Sequence, residues 1–126
     1  MNLLLDTHVL LWALDDSASL SHQARAAIAD GGNAVFVSAA TAWEISIKRA
    51  LGKLHVPADS YLEELRVHRF TALDISTEHA LAVADLPPHH ADPFDRMLVA
   101  QAQVEMLTLV THDPRMRAYD VQIIDA

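Results

Sequence analysis

Cysteine is absent from the 126 residues of the chain, which excludes disulfide bonds and thiolate metal sites. Any metal site must therefore use carboxylates, imidazoles or carbonyl oxygens, which are ligands suited to hard cations. The chain also lacks any long polar or Pro/Gly-rich linker, and it has only three glycines. Its length and its hydrophobic fraction of 52% predict one domain over residues 1–126 with a single core.

Features of a targeting or membrane segment are missing from the amino-terminal sequence. Residues 1–6 contain no basic residue and only three consecutive leucines before a charge. We therefore expect neither a signal peptide nor a membrane span. The expected protein is soluble and cytoplasmic, with no membrane partner.

Basic residues are scarce: 9 lysines and arginines stand against 17 acidic residues, for a formal net charge of −8. This is the wrong sign for a protein that holds nucleic acid by bulk electrostatics, so any nucleic-acid contact must be local. Lys48, Arg49, Lys53 and Arg96 are candidate phosphate contacts. Charged residues beyond the first turns of a helix are more often simply solvated.

Four acidic residues abut apolar sequence. Asp6 and Asp113 end apolar runs, Glu44 lies within one, and Asp95 precedes one. A carboxylate left unpaired beside a core is costly unless a partner such as a metal ion neutralises it. These four residues are therefore the candidate ligands of a shared cation.

Short β-like runs alternate with longer stretches of helical period, which predicts an α/β domain with a parallel sheet. The predicted strands are Asn2–Leu5, Ala34–Val37, Phe70–Leu73, Leu107–Thr111 and Val121–Ile124. The predicted helices are Thr7–Leu14 with Thr7 as a cap, Ser21–Asp30, a helix from Ser38 or Thr41 to Leu51, Ala58–Arg69 after Pro57, Ser76–Asp85 and Pro93–Glu105.

Apolar spacing predicts which faces of these helices are buried. The third helix has an apolar stripe of Trp43, Ile47, Ala50 and Leu51. Apolar residues of the first and fourth helices are predicted to lie in the core or, in part, at a dimer face. They are Val9, Leu10, Trp12, Ala13, Leu62 and Leu65.

Asp6 and Asp113 each follow a predicted strand, and ligand sites of open parallel sheets form outside the carboxyl ends of strands. Asp95 begins a helix, where the helix dipole favours a carboxylate, and Glu44 lies in the first turns of another. Converging carboxylates hold Mg²⁺ or Mn²⁺, and one or two ions fit the pattern. Such ions polarise a phosphate and activate an attacking water, which predicts phosphodiester hydrolysis.

Several assignments stay open at this stage. Asp92 competes with Asp95 as the ligand from its segment, and the helix start favours Asp95. No His-x-x-x-His pair lies on a predicted helix, and His89 and His90 fall in a Pro-rich loop, where histidines are usually exposed. His8 and His112 adjoin proposed ligands and fit either packing or proton transfer and phosphate contact.

Several motifs, in this order, resemble the PIN-domain family and within it the VapC-type toxin ribonucleases of bacterial toxin–antitoxin pairs. They are Leu5-Asp6-Thr7-His8, Val37-Ser38 with Trp43-Glu44-Ile45, Asp92-Pro93-Phe94-Asp95-Arg96 continuing through Ala100-Gln101-Ala102, and Val110-Thr111-His112-Asp113. Each motif alone is weak, whereas their order along nearly the whole chain is specific.

The resemblance implies a three-layer α/β/α sandwich with a central, mainly parallel sheet. It also implies a metal-dependent endoribonuclease with Asp6, Glu44, Asp95 and Asp113 at the acidic positions and Thr7 and Thr111 at the hydroxyl positions. A protein of this kind is usually a homodimer. A small antitoxin neutralises it by placing a basic segment, often with an arginine, in the acidic groove.

Other hypotheses fit part of the sequence. Taken singly, Asp6, Asp95 and Asp113 are equally well explained as caps or turn formers, and Glu44 with Lys48 as a surface ion pair. An aspartyl-nucleophile phosphatase also has Asp after its first strand, but it expects a second Asp where this chain has His8. A non-catalytic module with an acidic groove for a basic peptide is the third hypothesis.

Overall fold

The computed structural model describes residues 1–54 and 60–126. Its centre is a five-stranded sheet in the order β3-β2-β1-β4-β5, in which every neighbouring pair is parallel. The strands are β1 (Asn2–Leu5), β2 (Ala34–Ser38), β3 (Thr71–Leu73), β4 (Thr108–Thr111) and β5 (Ile123–Asp125).

Within the described residues, six α-helices connect these strands. They are α1 (Thr7–Leu14), α2 (His22–Ala29), α3 (Ala39–Ala50), α4 (Tyr61–Val67), α5 (Thr77–Val83) and α6 (Pro93–Glu105). Ser21, Ser38 and Ser76 cap α2, α3 and α5 through their side chains, as expected for serine at a helix start. The predicted start of α4 at Pro57 and Ala58 lies outside the described residues.

The core lies on both faces of the sheet because successive side chains of β1 point in opposite directions. Leu3 and Leu5 join an apolar cluster that includes residues of α1 to α4, whereas Leu4 joins a second cluster built largely on α6. Helices therefore cover both faces. This is a three-layer α/β/α arrangement, and it confirms the fold class predicted from the sequence.

The predicted apolar stripe of α3 does not face the core. Trp43 is 62% exposed, Leu51 is 63% exposed, and Ile47 is also exposed. The helix instead buries Ala40, Thr41, Glu44 and Ile45. Apolar spacing pointed to the wrong face because the buried face includes polar residues that meet a polar cleft.

Leu62 of α4 is not part of the core, because its side chain is 72% exposed, and the alternative of a dimer face stays open for it. Leu65, three residues later on the same helix, is buried in the core as predicted. Among the helices in the described parts of the chain, none is long and apolar enough to cross a membrane.

Candidate active site

The cleft at the carboxyl ends of β1 and β4 is the candidate active site. These strands are neighbours at the centre of the sheet, and the strand order runs outward from β1 to β2 on one side and to β4 on the other. A ligand crevice forms at such a switch point. The cleft has a volume of about 770 Å³, and its walls include all four predicted acids: Asp6, Glu44, Asp95 and Asp113.

Asp6 lies at the junction between β1 and α1, and both of its carboxylate oxygens accept hydrogen bonds. The Val9 amide donates to Oδ1 over 2.8 Å, and the Thr111 hydroxyl donates to Oδ2 over 2.5 Å. Asp6, rather than the predicted Thr7, therefore caps α1, because Thr7 is already the first helical residue. Burial raises the pKa of Asp6 despite these hydrogen bonds.

Glu44 enters the cleft from α3. The Thr7 hydroxyl donates to its Oε1 over 2.6 Å, and the Lys48 ammonium lies 2.7 Å from its Oε2. The i,i+4 pair with Lys48 is present, but Glu44 is buried, so this is not a solvated surface pair. Lys48 also lines the cleft, where it offsets part of its negative charge.

Asp92 and Asp95 make different contacts at the start of α6. Asp92 is the N-cap, and its Oδ1 accepts the amides of Phe94 and Asp95. Asp95 lies in the first turn, with its Oδ2 2.8 Å from Nε2 of His90. Burial and the neighbouring Asp92 charge raise the pKa of Asp95 to about 6. Both carboxylates line the cleft, and the choice of Asp95 over Asp92 as a ligand stays a prediction.

Asp113 follows β4 by two residues and caps a short 3₁₀ helix (Pro114–Ala118). The Arg115 guanidinium donates to both of its oxygens, over 3.1 Å to Oδ1 and 2.8 Å to Oδ2. These contacts lower the pKa of Asp113 to about 2. Thr111 links this residue to Asp6, because its Oγ1 accepts the Asp113 amide while its hydroxyl proton goes to Asp6.

His90 is a functional candidate that sequence reasoning missed. The expectation of an exposed loop histidine is wrong, because the His90 side chain is only 3% exposed. Its Nε2 lies 2.8 Å from Oδ2 of Asp95 and 3.2 Å from Oδ2 of Asp113. The one available signal was its position five residues before Asp95, beyond a Pro-Pro pair that redirects the chain.

His8 and His112 line the rim of the cleft on either side of Trp12. The His8 ring stacks on Trp12 at 6.2 Å between centroids, and the His112 ring meets Trp12 edge-on at 5.5 Å. Both histidines are exposed. These contacts support the packing role, and the histidines still face the space that a ligand would enter.

Arg96 does not present its charge to the cleft. Its guanidinium donates to main-chain carbonyls at the end of α5 and in the loop that follows, including those of Val83 and Pro87. An arginine held by several carbonyls stabilises a loop. The prediction of a phosphate contact at this position is therefore not supported by its geometry.

The donor set fits a divalent cation. Carboxylate oxygens of Asp95 and Asp113 lie within 4.8 Å of each other and of a ring nitrogen of His90, and Asp6 is close enough to Asp95 to raise its pKa. Burial raises the pKa of Asp6 and of the half-buried Asp95, and a bound cation would stabilise both carboxylates in their charged form. Oxygen-rich sites of this kind suit Mg²⁺ or Mn²⁺.

Comparison with known proteins identifies the family. A model of the PIN domain matches residues 3–122. The chain belongs to the PIN domain family. This confirms the family resemblance drawn from the sequence motifs, and because PIN domains are typically nucleases, it places the chain among proteins that hydrolyse nucleic acid. A comparison with curated protein sequences gives no match.

Several solved structures share this PIN fold over nearly their full length. VapBC2 from Rickettsia felis, solved with a DNA fragment from their promoter, gives a TM-score of 0.73 at 16% identity, covering 99% of this chain and 98% of that one. VapBC-1 from nontypeable Haemophilus influenzae gives 0.69 at 20% identity, with coverage of 99% and 98%. FitAcB from Neisseria gonorrhoeae gives 0.63 at 20% identity, with coverage of 98% and 96%. At these identities the likeness establishes the fold.

Because the pKa of Asp95 is raised, we expect the free energy of unfolding of the metal-free protein to fall as the pH rises. Between pH 4 and pH 6 the folded state binds more protons than the unfolded state, so the free energy of unfolding falls as pH rises through this window. Asp95→Asn should remove this loss and stabilise the protein at pH 7.5 by on the order of 2 kcal/mol relative to wild type.

Urea unfolding in EDTA at pH 4.5 and pH 7.5 would measure the difference between the two proteins. Subtracting the pH dependence of the variant from that of wild type cancels the contribution of other carboxylates. These include Asp113, whose lowered pKa makes the free energy of unfolding rise with pH below pH 4. Equal pH dependence in wild type and Asp95→Asn would contradict the prediction.

Proposed function

We propose that residues 1–126 form a single PIN-like nuclease domain that acts as a Mg²⁺-dependent endoribonuclease, with Mn²⁺ able to replace Mg²⁺. The observation that carries the proposal is the meeting of Asp6, Glu44, Asp95 and Asp113 in one cleft at the carboxyl ends of β1 and β4. These residues come from four separate elements, and independent caps would have no reason to share one cleft.

In this mechanism water is the nucleophile, and the four acids hold or orient the cation and its water ligands. A bound divalent ion supplies Lewis-acid polarisation of the phosphate and lowers the pKa of a coordinated water. Thr111 fixes the Asp6 carboxylate and Thr7 fixes Glu44 through short hydrogen bonds. Such fixed donors reduce the reorganisation needed when substrate binds.

The phosphatase alternative lacks the second aspartate that this class uses as its acid and base. Asp6 itself fits either role, because each of its oxygens keeps a lone pair beside the hydrogen bond that it accepts. His8, at the position where that class expects its acid, is exposed and stacked on Trp12.

RNA is the proposed substrate, and a small antitoxin with a basic segment is the proposed partner of a cytoplasmic VapC-type toxin. The acidic cleft and the net charge of −8 complement a basic peptide. The structural neighbours from Rickettsia felis and Haemophilus influenzae are VapBC complexes, in agreement with such a pairing. The exposed stripe of Trp43, Ile47 and Leu51 is a candidate contact of the proposed homodimer.

Cleavage of a panel of structured RNAs tests this function. The purified protein should cut RNA in Mg²⁺, lose the activity in EDTA, and recover it when Mg²⁺ is restored in excess. Matched single-stranded DNA provides the control for substrate class. Binding of a basic peptide without metal-dependent cleavage would instead support the non-catalytic module.

A further inference from the structure

The loop between α5 and α6 is held by side chains that converge on His90. Arg96 donates from Nη1 to the carbonyl of Pro87 over 3.0 Å and from Nη2 to the carbonyl of Val83 over 3.1 Å. The main-chain amide of His90 itself donates to the Tyr119 hydroxyl over 2.9 Å. The position of the His90 backbone is therefore fixed from two directions, by α6 and by the segment after β4.

Hydrogen bonding also fixes the imidazole of His90. The Asp92 amide points at Nδ1 over 3.4 Å, so Nδ1 serves as an acceptor, and a neutral ring then carries its proton on Nε2. That Nε2–H donates to Oδ2 of Asp95 over 2.8 Å, and Oδ2 of Asp113 lies 3.2 Å from the same nitrogen. With 3% of the side chain exposed, bulk water has little access to replace this donor.

We propose that His90 is a positioning residue, whose Nε2–H holds the Asp95 carboxylate beside that of Asp113 so that the two can receive a divalent cation. The inference rests on the proposed metal-dependent function. Asp95 comes from α6 and Asp113 from the end of β4, so no shared element holds them in place, and their charges repel. A donor that binds Asp95 and lies against Asp113 offsets part of this repulsion and pre-organises the pair.

A direct ligand role for His90 conflicts with the same geometry. Coordination through Nε2 would require the proton to move to Nδ1, where it would oppose the Asp92 amide hydrogen. Two donors would then face each other inside a buried loop, which is costly. His90 thus acts on the cation through the two carboxylates.

Binding of Mn²⁺ to the full chain, measured by calorimetry, tests the inference with matched variants. The amide nitrogen of Gln reaches the place of Nε2, whereas that of Asn reaches only the place of Nδ1. His90→Gln should keep the wild-type affinity within about 3-fold, and His90→Asn should weaken it by about 10- to 100-fold. His22→Asn, which changes an exposed histidine at the start of α2, should have no effect.

Two spectroscopic measurements separate positioning from a ligand or a purely structural role. In metal-free wild type, ¹⁵N chemical shifts of the His90 ring should show the Nε2–H tautomer, whether or not any variant folds. In the Mn²⁺ complex, electron spin echo spectra should show no ¹⁴N coupling from His90. An Nδ1–H tautomer, or a ¹⁴N coupling lost in His90→Asn, would overturn the inference.

The outcomes also distinguish this inference from the proposed function. Wild type that binds Mn²⁺, together with His90→Asn of equal affinity, would overturn the positioning role and leave the nuclease proposal intact. Wild type that binds no Mn²⁺ would overturn both.

Discussion

Replacing Asp6 by Asn is expected to reduce RNA cleavage by about 10³-fold or more while leaving the fold intact. The carboxylate is a proposed contact of the cation, whose stabilisation of transition-state charge is worth several kcal/mol, and about 1.4 kcal/mol corresponds to a factor of ten in rate. An amide oxygen can still accept the Val9 amide and cap α1, so the helix start should persist.

Measuring the stability of Asp6→Asn shows whether a loss of cleavage comes from the missing carboxylate or from unfolding. Because burial raises the pKa of Asp6, its ionised form costs stability at neutral pH, and Asp6→Asn should be at least as stable as wild type in EDTA. The control is Asp30→Asn, the same change at an exposed turn that precedes β2 at the opposite edge of the sheet. Near-wild-type cleavage by Asp6→Asn would contradict the assignment.

Replacing Leu98 by Ala should lower the free energy of unfolding by about 3–4 kcal/mol, within the range of large-to-small changes at fully buried sites. Leu98 is 1% exposed, and it belongs to the cluster that joins α6 to β1 and β4. It lies one turn after Asp95, so the change also loosens the helix that carries a proposed ligand.

Urea unfolding of Leu98→Ala gives the measurement, and Leu81→Ala is the matched control. Leu81 is 69% exposed on α5, so removing its side chain should cost less than about 0.5 kcal/mol. Similar losses in the two variants would show that α6 is not docked on the sheet as described.

The sequence predicted correctly those features of the fold that depend on residues close together in the chain. The predicted bounds of β1, α1 and α6 agree with the structure because apolar runs, capping side chains and Pro93 at the helix start act over a few residues. The alternation of strands and helices predicted the parallel sheet for the same reason. Asp6 and Asp113 were predicted to face one crevice because each comes within two residues of the end of a buried strand, and both line the cleft.

The buried face of α3 was predicted wrongly because apolar spacing identifies a stripe but not its surroundings. Trp43, Ile47 and Leu51 lie on the outside, and Glu44 faces inward because Thr7 and Lys48 provide its hydrogen-bond partners. Thr7 is distant from Glu44 in sequence, so the spacing of apolar residues along α3 does not indicate this partner.

The sequence by itself determined the family and the order of elements, and it predicted four acids that the structure brings to one cleft, since each of these signals depends on neighbours a few residues apart. Only the tertiary structure decided that Asp92, which also lines the cleft, caps α6, and that His90 is buried against Asp95 and Asp113. The physical reason is that the loop after α5 and the end of β4 are brought together by packing across the sheet. The hydrogen bonds and the burial of residues in the cleft depend on that contact, which the local sequence does not encode.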